Sequence, residues 1–479
     1  MSSLKKRSVI AYAWNMGGML IRQGSSFIIS IFLARLLEPA EFGLVGMAMV
    51  FISISQVFID VGFGSALIQN QKNTNLTYSS VFYVNLVAGL ILTGLFYFIA
   101  PYLGQFYENE QITDIVRWLS LVFIFSSLNQ VQTNILKKKL NFKVLTVRGL
   151  VAGISSGVLG VILAFQGFGV YALVIQSLTG AALGTILLWS TSGWRPDLKF
   201  SFSEVKKLTG FSAYVFFDRF VSTIFQKLDI LLIGKLFSPA SLGFYTRAVS
   251  LKDQVTKYSS NSLRSVFFPV LSELQEDHKE YSRIYFKVVS VITFLSYGLT
   301  GILYILGGNI ILILFGDKWE PSISIFQVLI LGVANYPLSS MMVNAFMSKG
   351  KSKLNFWIGV LRKSIRIIPL IIAYVYGIYE FTVAVVIVSY LLTLINMLFL
   401  KKFVKLPLGF HLRKVFEGLT PLIPFVVLFH FFEFDSLLKN ILLALSFSFC
   451  YLGYNYLIKT EGLRFILANS IKIRSKYLK

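Results

Sequence analysis

The residues best equipped for chemistry in this chain sit inside apolar stretches that would ordinarily exclude them. Between Ala240 and Leu271, Arg247, Ser250, Gln254, Lys257, Tyr258, Asn261 and Arg264 fall within an arc of roughly 120° on a helix. In the preceding run, Leu208 to Phe237, Asp218, Arg219, Ser222, Gln226 and Asp229 share an arc of about 100°. Near the N-terminus Asn15, Arg22, Ser26 and Ser30 line one helical face. Arg and Lys grip phosphate, while amides and a phenol bond sugar hydroxyls, so the set suits an anionic, hydroxylated headgroup. The plainer alternative is internal pairing of these cations with Asp218, Asp229 and Asp253 to hold helices together, although the cations outnumber the acids.

The candidate substrate-binding residues are therefore Arg22, Arg219, Gln226, Arg247, Gln254, Lys257, Tyr258, Asn261 and Arg264. Asp60 is the most isolated acid within an apolar run. With Asp218 and Asp229 it is a candidate for ion coupling or gating, the alternative being a simple hydrogen bond to a neighbouring helix. Arg362 and Arg366, one turn apart, either add to the cationic lining or snorkel toward the cytoplasmic side. His278, His411 and His430 have no spacing partner, so no metal site or cofactor is expected, and the single cysteine, Cys450, excludes an internal disulfide.

These polar stripes need elements that can hold them in an apolar surrounding. The chain has 479 residues, 55% hydrophobic and only 14% charged, a composition of membrane proteins. Runs such as Val84 to Ala100, Gly149 to Phe165 and Phe381 to Leu400 have the density of helices crossing a hydrocarbon layer of about 30 Å. The expected fold class is an all-α polytopic membrane protein with about 14 transmembrane helices. A charge of +23 then speaks for cytoplasmic loops facing anionic lipid rather than for nucleic acid.

Two stretches organise the chain. Arg35 to Gly43, RLLEPAEFG, recurs as KLFSPASLG, Lys235 to Gly243, with no gap and with Leu36/Leu236, Pro39/Pro239, Ala40/Ala240 and Gly43/Gly243 identical. Each reads as a tight connection between helices, with Pro opening the second. Six expected helices separate the copies, so the halves enter the membrane in the same sense, as parallel repeats around a central cavity. The boundaries are residues 1–192 for an N-lobe, 193–207 for a polar cytoplasmic linker with a short interfacial helix, and 208–402 for a C-lobe. Two further helices occupy 403–460, and 461–479 form a basic amphipathic tail along the membrane surface.

Charge bias orients this topology. With the N-terminus inside, clusters such as Lys5, Lys6 and Arg7, Lys137 to Lys139, and Lys401, Lys402 and Lys405 fall in inner segments. The outer connections hold Arg35, Lys235, Lys318 and Lys439. Both termini are thus expected in the cytoplasm. Removing the polar run Ala240 to Leu271 from the count would invert every later loop, so it too is expected to span.

The segments DVGFGSALIQ (Asp60 to Gln69), LDILLIGKLFSPASLGFYTRA (Leu228 to Ala248), FFPVLSELQED (Phe267 to Asp277) and GDKWEPSISIFQ (Gly316 to Gln327) resemble the polysaccharide transporter family. The resemblance is closest to its Wzx-like O-antigen and teichuronic-acid flippase branch, within the multidrug/oligosaccharidyl-lipid/polysaccharide exporter superfamily. It covers essentially the whole chain and departs from the branch in lacking a Pro near Gln254. It implies two six-helix lobes plus two helices in the bacterial inner membrane. The implied activity is movement of undecaprenyl-pyrophosphate-linked oligosaccharide, a polyprenyl-pyrophosphate-linked glycan, from the cytoplasmic to the outer leaflet, with polysaccharide polymerases as possible partners. The rival readings are a membrane glycosyltransferase or polymerase, which usually needs acids on a sizeable outer loop, and a drug exporter, which the cationic stripe disfavours.

Overall fold

The computed structural model describes residues 2–431 and 436–468; of these, the side-chain surroundings of 2–9 and 257–266 are not described. The fold is helical throughout, and no strand occurs among the described residues. In chain order the helices are α1 (Ser2–Leu36), α2 (Pro39–Ser55), α3 (Val57–Asp60), α4 (Phe63–Gln69), α5 (Asn75–Tyr107), α6 (Gln111–Ser120) and α7 (Val122–Lys138). There follow α8 (Phe142–Phe165), α9 (Val170–Thr191), α10 (Phe202–Leu236), α11 (Pro239–Glu273), α12 (His278–Phe315), α13 (Ser322–Val333) and α14 (Tyr336–Ser348). The last are α15 (Ser352–Ile365), α16 (Ile368–Tyr376), α17 (Ile378–Val404), α18 (Leu408–Phe431) and α19 (Leu437–Leu457).

Eleven helical stretches among the described residues are long and apolar enough to cross a membrane. The protein is therefore a multi-pass membrane protein. The stretches α10, α11 and α15 to α16 are not among the eleven; α10 and α11, of 35 residues each, carry the charged stripes.

The repeat sets the register of the first elements. Helices α1 and α10 end at Leu36 and Leu236, and α2 and α11 begin at Pro39 and Pro239. Proline suits the first turn, where its missing N–H has no helical acceptor to lose. The halves then diverge: α11 runs unbroken from Pro239 to Glu273, while its counterpart breaks into α2, α3 and α4. Shorter interruptions divide α6 from α7, α13 from α14 and α15 from α16. Pro337 and Pro369 lie in the first turns of α14 and α16, where a ring would clash with a continued helix.

The chain forms two compact units, residues 1–246 and 247–479. In the first, Phe63, Leu67, Val81, Phe82, Val131, Ile135 and Leu208 join α4, α5, α7 and α10 in one buried core. Small residues bring its helices close: a Cβ on Gly157 of α8 would meet the Ile29 side chain of α1 at 2.2 Å, the packing that apolar solvent favours. The polar stretch after α9 forms no separate helix, because residues 193–201 are non-helical and the following turns belong to α10. It is tied to the start of α5, where Ser79 and Ser80 hydroxyls accept the N–H groups of Asp197 and Ser201, both at 2.9 Å.

In the second unit a core of Tyr281, Tyr285, Leu338, Met341, Phe346, Met397 and Leu400 joins α12, α14 and α17. The residues after α19 dock on α12: Ser290 donates to Glu461 at 2.9 Å and the Lys287 ammonium lies 4.1 Å from the Phe465 ring centroid. The rest of the tail, 469–479, lies outside the described residues.

Candidate functional site

Asp60 is the best-defined site residue, and the break in the second apolar run positions it. The chain turns at Val61 and Gly62, with φ of 43° and 78°. Val61 is the costlier, because a β-branched residue at positive φ is strained by about 1–3 kcal/mol. Gly62 is required twice over: its φ is left-handed, and a Cβ there would sit 2.3 Å from the Ser212 carbonyl oxygen of α10. The break frees backbone donors at the start of α4, and Asp60 Oδ1 accepts the N–H of Gly64 at 2.7 Å. Its Oδ2 accepts from Arg219 Nη1 of α10 at 2.9 Å. The Asp60 side chain is 8% exposed while that of Arg219 is 50% exposed. A buried carboxylate thus holds one arm of a guanidinium whose side chain is half exposed. Asn134 of α7 lies beside the pair, and its buried Nδ2 has no acceptor.

The other predicted residues are placed as follows. Asp229 Oδ2 accepts from the Tyr245 hydroxyl at 2.7 Å. Asp218 and Gln226 are exposed on α10. Arg22 is exposed on α1 with its stem across Gly149 of α8, 3.2 Å from a Cβ built there. Arg247 is 6% exposed, with its guanidinium carbon 4.8 Å and 4.9 Å from the ring centroids of Phe315 and Trp319; this geometry packs the cation against rings rather than presenting it. Gln254 is half-buried on α11. Lys257, Tyr258, Asn261 and Arg264 lie on the same helix, and their side chains are outside the described residues. Arg362 donates to the Ile358 carbonyl and to Asn355. Asn134 and Tyr245 escaped the sequence reading; the polar run Asn129 to Asn134 was the available signal for the first.

The repeated segments meet each other directly. A Cβ on Gly43 would lie 1.8 Å from the carbonyl oxygen of Pro239, and one on Gly243 would lie 1.9 Å from that of Pro39. Each glycine is inside a helix, one turn after the proline, and its lack of a side chain admits the other copy's backbone. Close by, Lys235 donates to Glu108 at 2.7 Å, and that hydrogen bond holds the Glu108 carboxyl below its ordinary range. A depressed carboxylate pKa contributes above the unfolded value and is lost as pH falls through the folded one. Glu108→Gln is therefore expected to have a lower thermal midpoint than the parent at neutral pH, and the two should converge as pH falls below the ordinary glutamate range.

Comparison with known proteins bears on these features. A family model described as "Polysaccharide biosynthesis protein" matches residues 32–324, more than half of the chain. The chain belongs to that family. It is 25% identical over 309 residues to the teichuronic acid biosynthesis protein TuaB of Bacillus subtilis, a match covering 63% of each protein. To the lipopolysaccharide biosynthesis protein WzxC of Escherichia coli it is 21% identical over 379 residues, 77% of this chain and 75% of that one. To the succinoglycan biosynthesis transport protein ExoT of Rhizobium meliloti it is 25% identical over 340 residues, 71% of this chain and 69% of that one. Among solved structures, the lipid II flippase MurJ in an inward closed conformation superimposes with a TM-score of 0.72 at 16% identity, over 93% of this chain and all of that one. An inward-facing MATE family multidrug resistance transporter gives 0.61 at 12% identity, over 81% and 97%. The polysaccharide biosynthesis protein described here therefore has the fold those transporters share.

Proposed function

We propose that this protein is a flippase that moves polyprenyl-pyrophosphate-linked oligosaccharide from the cytoplasmic to the outer leaflet by alternating access. The observation that carries the reading is Arg219, a half-exposed guanidinium on α10, held by a buried carboxylate at a helix break. A charge inside a bilayer costs a few kcal/mol or more and is kept where it meets protein, water or substrate. Its open donors suit pyrophosphate oxygens, and the family and the named relatives are proteins of polysaccharide biosynthesis and transport. In this reading Asp60 is the switch: it holds Arg219 when the site is empty and yields it to substrate. The Pro39, Gly43, Pro239, Gly243 contact closes the outer end. Helices α10, α11 and α15 to α16 complete fourteen spans, both termini are cytoplasmic, and the basic inner segments sit on anionic lipid of the bacterial inner membrane, where a polysaccharide polymerase would receive the product.

The test is leaflet-resolved. In cells lacking this protein, lipid-linked glycan should accumulate on the cytoplasmic leaflet, and in vesicles containing it the glycan should become accessible to an outside glycosidase. Equal accessibility with and without the protein would remove the transport reading.

A further inference from the structure

The surroundings of Asp60 contain a donor without an acceptor. Asn134 of α7 is 5% exposed, and its Nδ2 is buried with no hydrogen-bond partner. An amide N–H left unmet in a dry interior is costly, and such a group in a folded protein calls for a reason. Its neighbour supplies one. The place that a Cβ would take on Gly64 lies 2.5 Å from Asn134 Nδ2 and 2.8 Å from Asp60 Oδ1, so a donor and an acceptor face one small space that glycine leaves empty. The opposite amide orientation would turn an oxygen toward the carboxylate, with no proton between them.

The Asp60 carboxylate is kept from this donor by the bonds it already makes. Oδ1 accepts from the Gly64 N–H at 2.7 Å and Oδ2 from Arg219 Nη1 at 2.9 Å, which pins the plane of the group at both ends. Losing the Arg219 bond frees that plane to turn, because the terminal torsions of Asp and Asn are soft. Each carboxylate oxygen has two lone pairs, so Asp60 can take the amide while keeping Gly64. The backbone need not move, since Gly62 already sits against the Ser212 carbonyl of α10.

We infer that Asn134 is a positioning residue, the standby donor that takes over Asp60 when Arg219 leaves it. The inference rests on the reading of Asp60 and Arg219 as a switch, and it gives that switch its second position. In the resting state the carboxylate is paired with Arg219 and the amide is stranded. In the released state the amide is paired and Arg219 offers all of its donors to an anion. The stranded amide raises the energy of the first state and the new bond lowers that of the second, so Asn134 narrows the gap that an arriving anion must overcome. Without it the pair would resist release, because a buried carboxylate left alone is costly.

A change at Asn134 must therefore act with opposite sign on the two states. Asn134→Leu keeps a similar shape without the unmet donor, so in the parent it should raise the thermal midpoint by a few degrees. In an Arg219→Ala background, where Asp60 has lost its cation, the same change should lower the midpoint, because there the amide is in use. Full-length protein in neutral-lipid nanodiscs serves for both, and no cargo is needed. Isotope-labelled asparagine gives a second readout: the Asn134 side-chain amide proton resonance, assigned by its loss in Asn134→Leu, should move downfield on Arg219→Ala. Farnesyl pyrophosphate in the nanodisc should cause the same displacement in the parent and bind roughly tenfold more weakly to Asn134→Leu. A parent that does not bind farnesyl pyrophosphate, with the sign reversal intact, counts against the transport reading and leaves the standby donor supported. The same sign in both backgrounds marks a merely structural asparagine. That result, an amide resonance unmoved by Arg219→Ala, or equal affinity of parent and Asn134→Leu for farnesyl pyrophosphate overturns the inference.

Discussion

Arg219→Ala is expected to lower glycan export by about 100-fold or more while leaving most of the protein folded in the membrane. In the proposed site Arg219 supplies charged donors to the pyrophosphate, and losing one side of such a charge-assisted contact costs about 2–5 kcal/mol, with each 1.36 kcal/mol tenfold in rate. Asp60, 8% exposed, keeps the Gly64 N–H at 2.7 Å in the variant. Half of the Arg219 side chain is exposed, so solvent screens its side of the pair, while Asp60 left unpaired lowers the thermal midpoint modestly; the larger loss should appear in export. Asp60→Asn separates the two roles further. It keeps an oxygen for Gly64 and removes the charge that retains Arg219, so folding should hold while the switch fails. Arg247→Ala is the contrast: it empties a space between Phe315 and Trp319 and should lower the thermal midpoint, with export following protein level. The measurements are surface polysaccharide, inner-leaflet precursor and thermal unfolding of each variant. Normal export in Arg219→Ala at parental protein level would sink the assignment of this site.

How much of this was legible in the sequence depends on the range of the interaction involved. Helix ends were legible where chemistry is local: the repeated Pro39 and Pro239 open α2 and α11 as their residue type dictates. Apolar density marked the same membrane-capable stretches, because transfer from water depends on composition averaged over a whole span. Breaks were not legible from density, since the few polar backbone groups at Val61 and Gly62 hardly alter it. Pro337 and Pro369 did carry a local signal for two other breaks. The Asp60 to Arg219 pair joins residues 159 positions apart, and a helical wheel gives each a face without naming what that face meets. Arg247 shows the same gap, since its place on the cationic stripe is real while the rings beside it come from α12 and the turn after it. The sequence pattern makes Gly43 and Gly243 parts of a connection; both lie inside helices, and the demand on them is the backbone of the other copy.

Gly43→Ala or Gly243→Ala should shift the protein toward a state in which the two copies of the repeat are parted. A Cβ at 1.8 Å or 1.9 Å from a carbonyl oxygen cannot be relieved by rotating a side chain, because the obstacle is the backbone of Pro239 or Pro39. Ordinary contact begins near 3.4 Å, so the helices must separate by roughly 1.5 Å, at an overpacking cost of about 1–3 kcal/mol. A state that opens this end does not bear that cost, so the equilibrium between the two shifts by about 5- to 150-fold. Glu38 and Ser238 are exposed next to the contact and accept spin labels after Glu38→Cys and Ser238→Cys in a Cys450→Ser background. The parent should give mainly a short distance, and each alanine variant should add a longer one. Gly43→Ala and Gly243→Ala together should move the distribution no less than either alone, since both open the same seam. An unchanged distribution in folded protein would mean that α2 and α11 yield locally and that this contact is not the moving part. A longer distance with export retained would mean that parting this contact is tolerated. A longer distance with export lost would mean that transport requires it to re-form, as a gate that must close once per cycle requires.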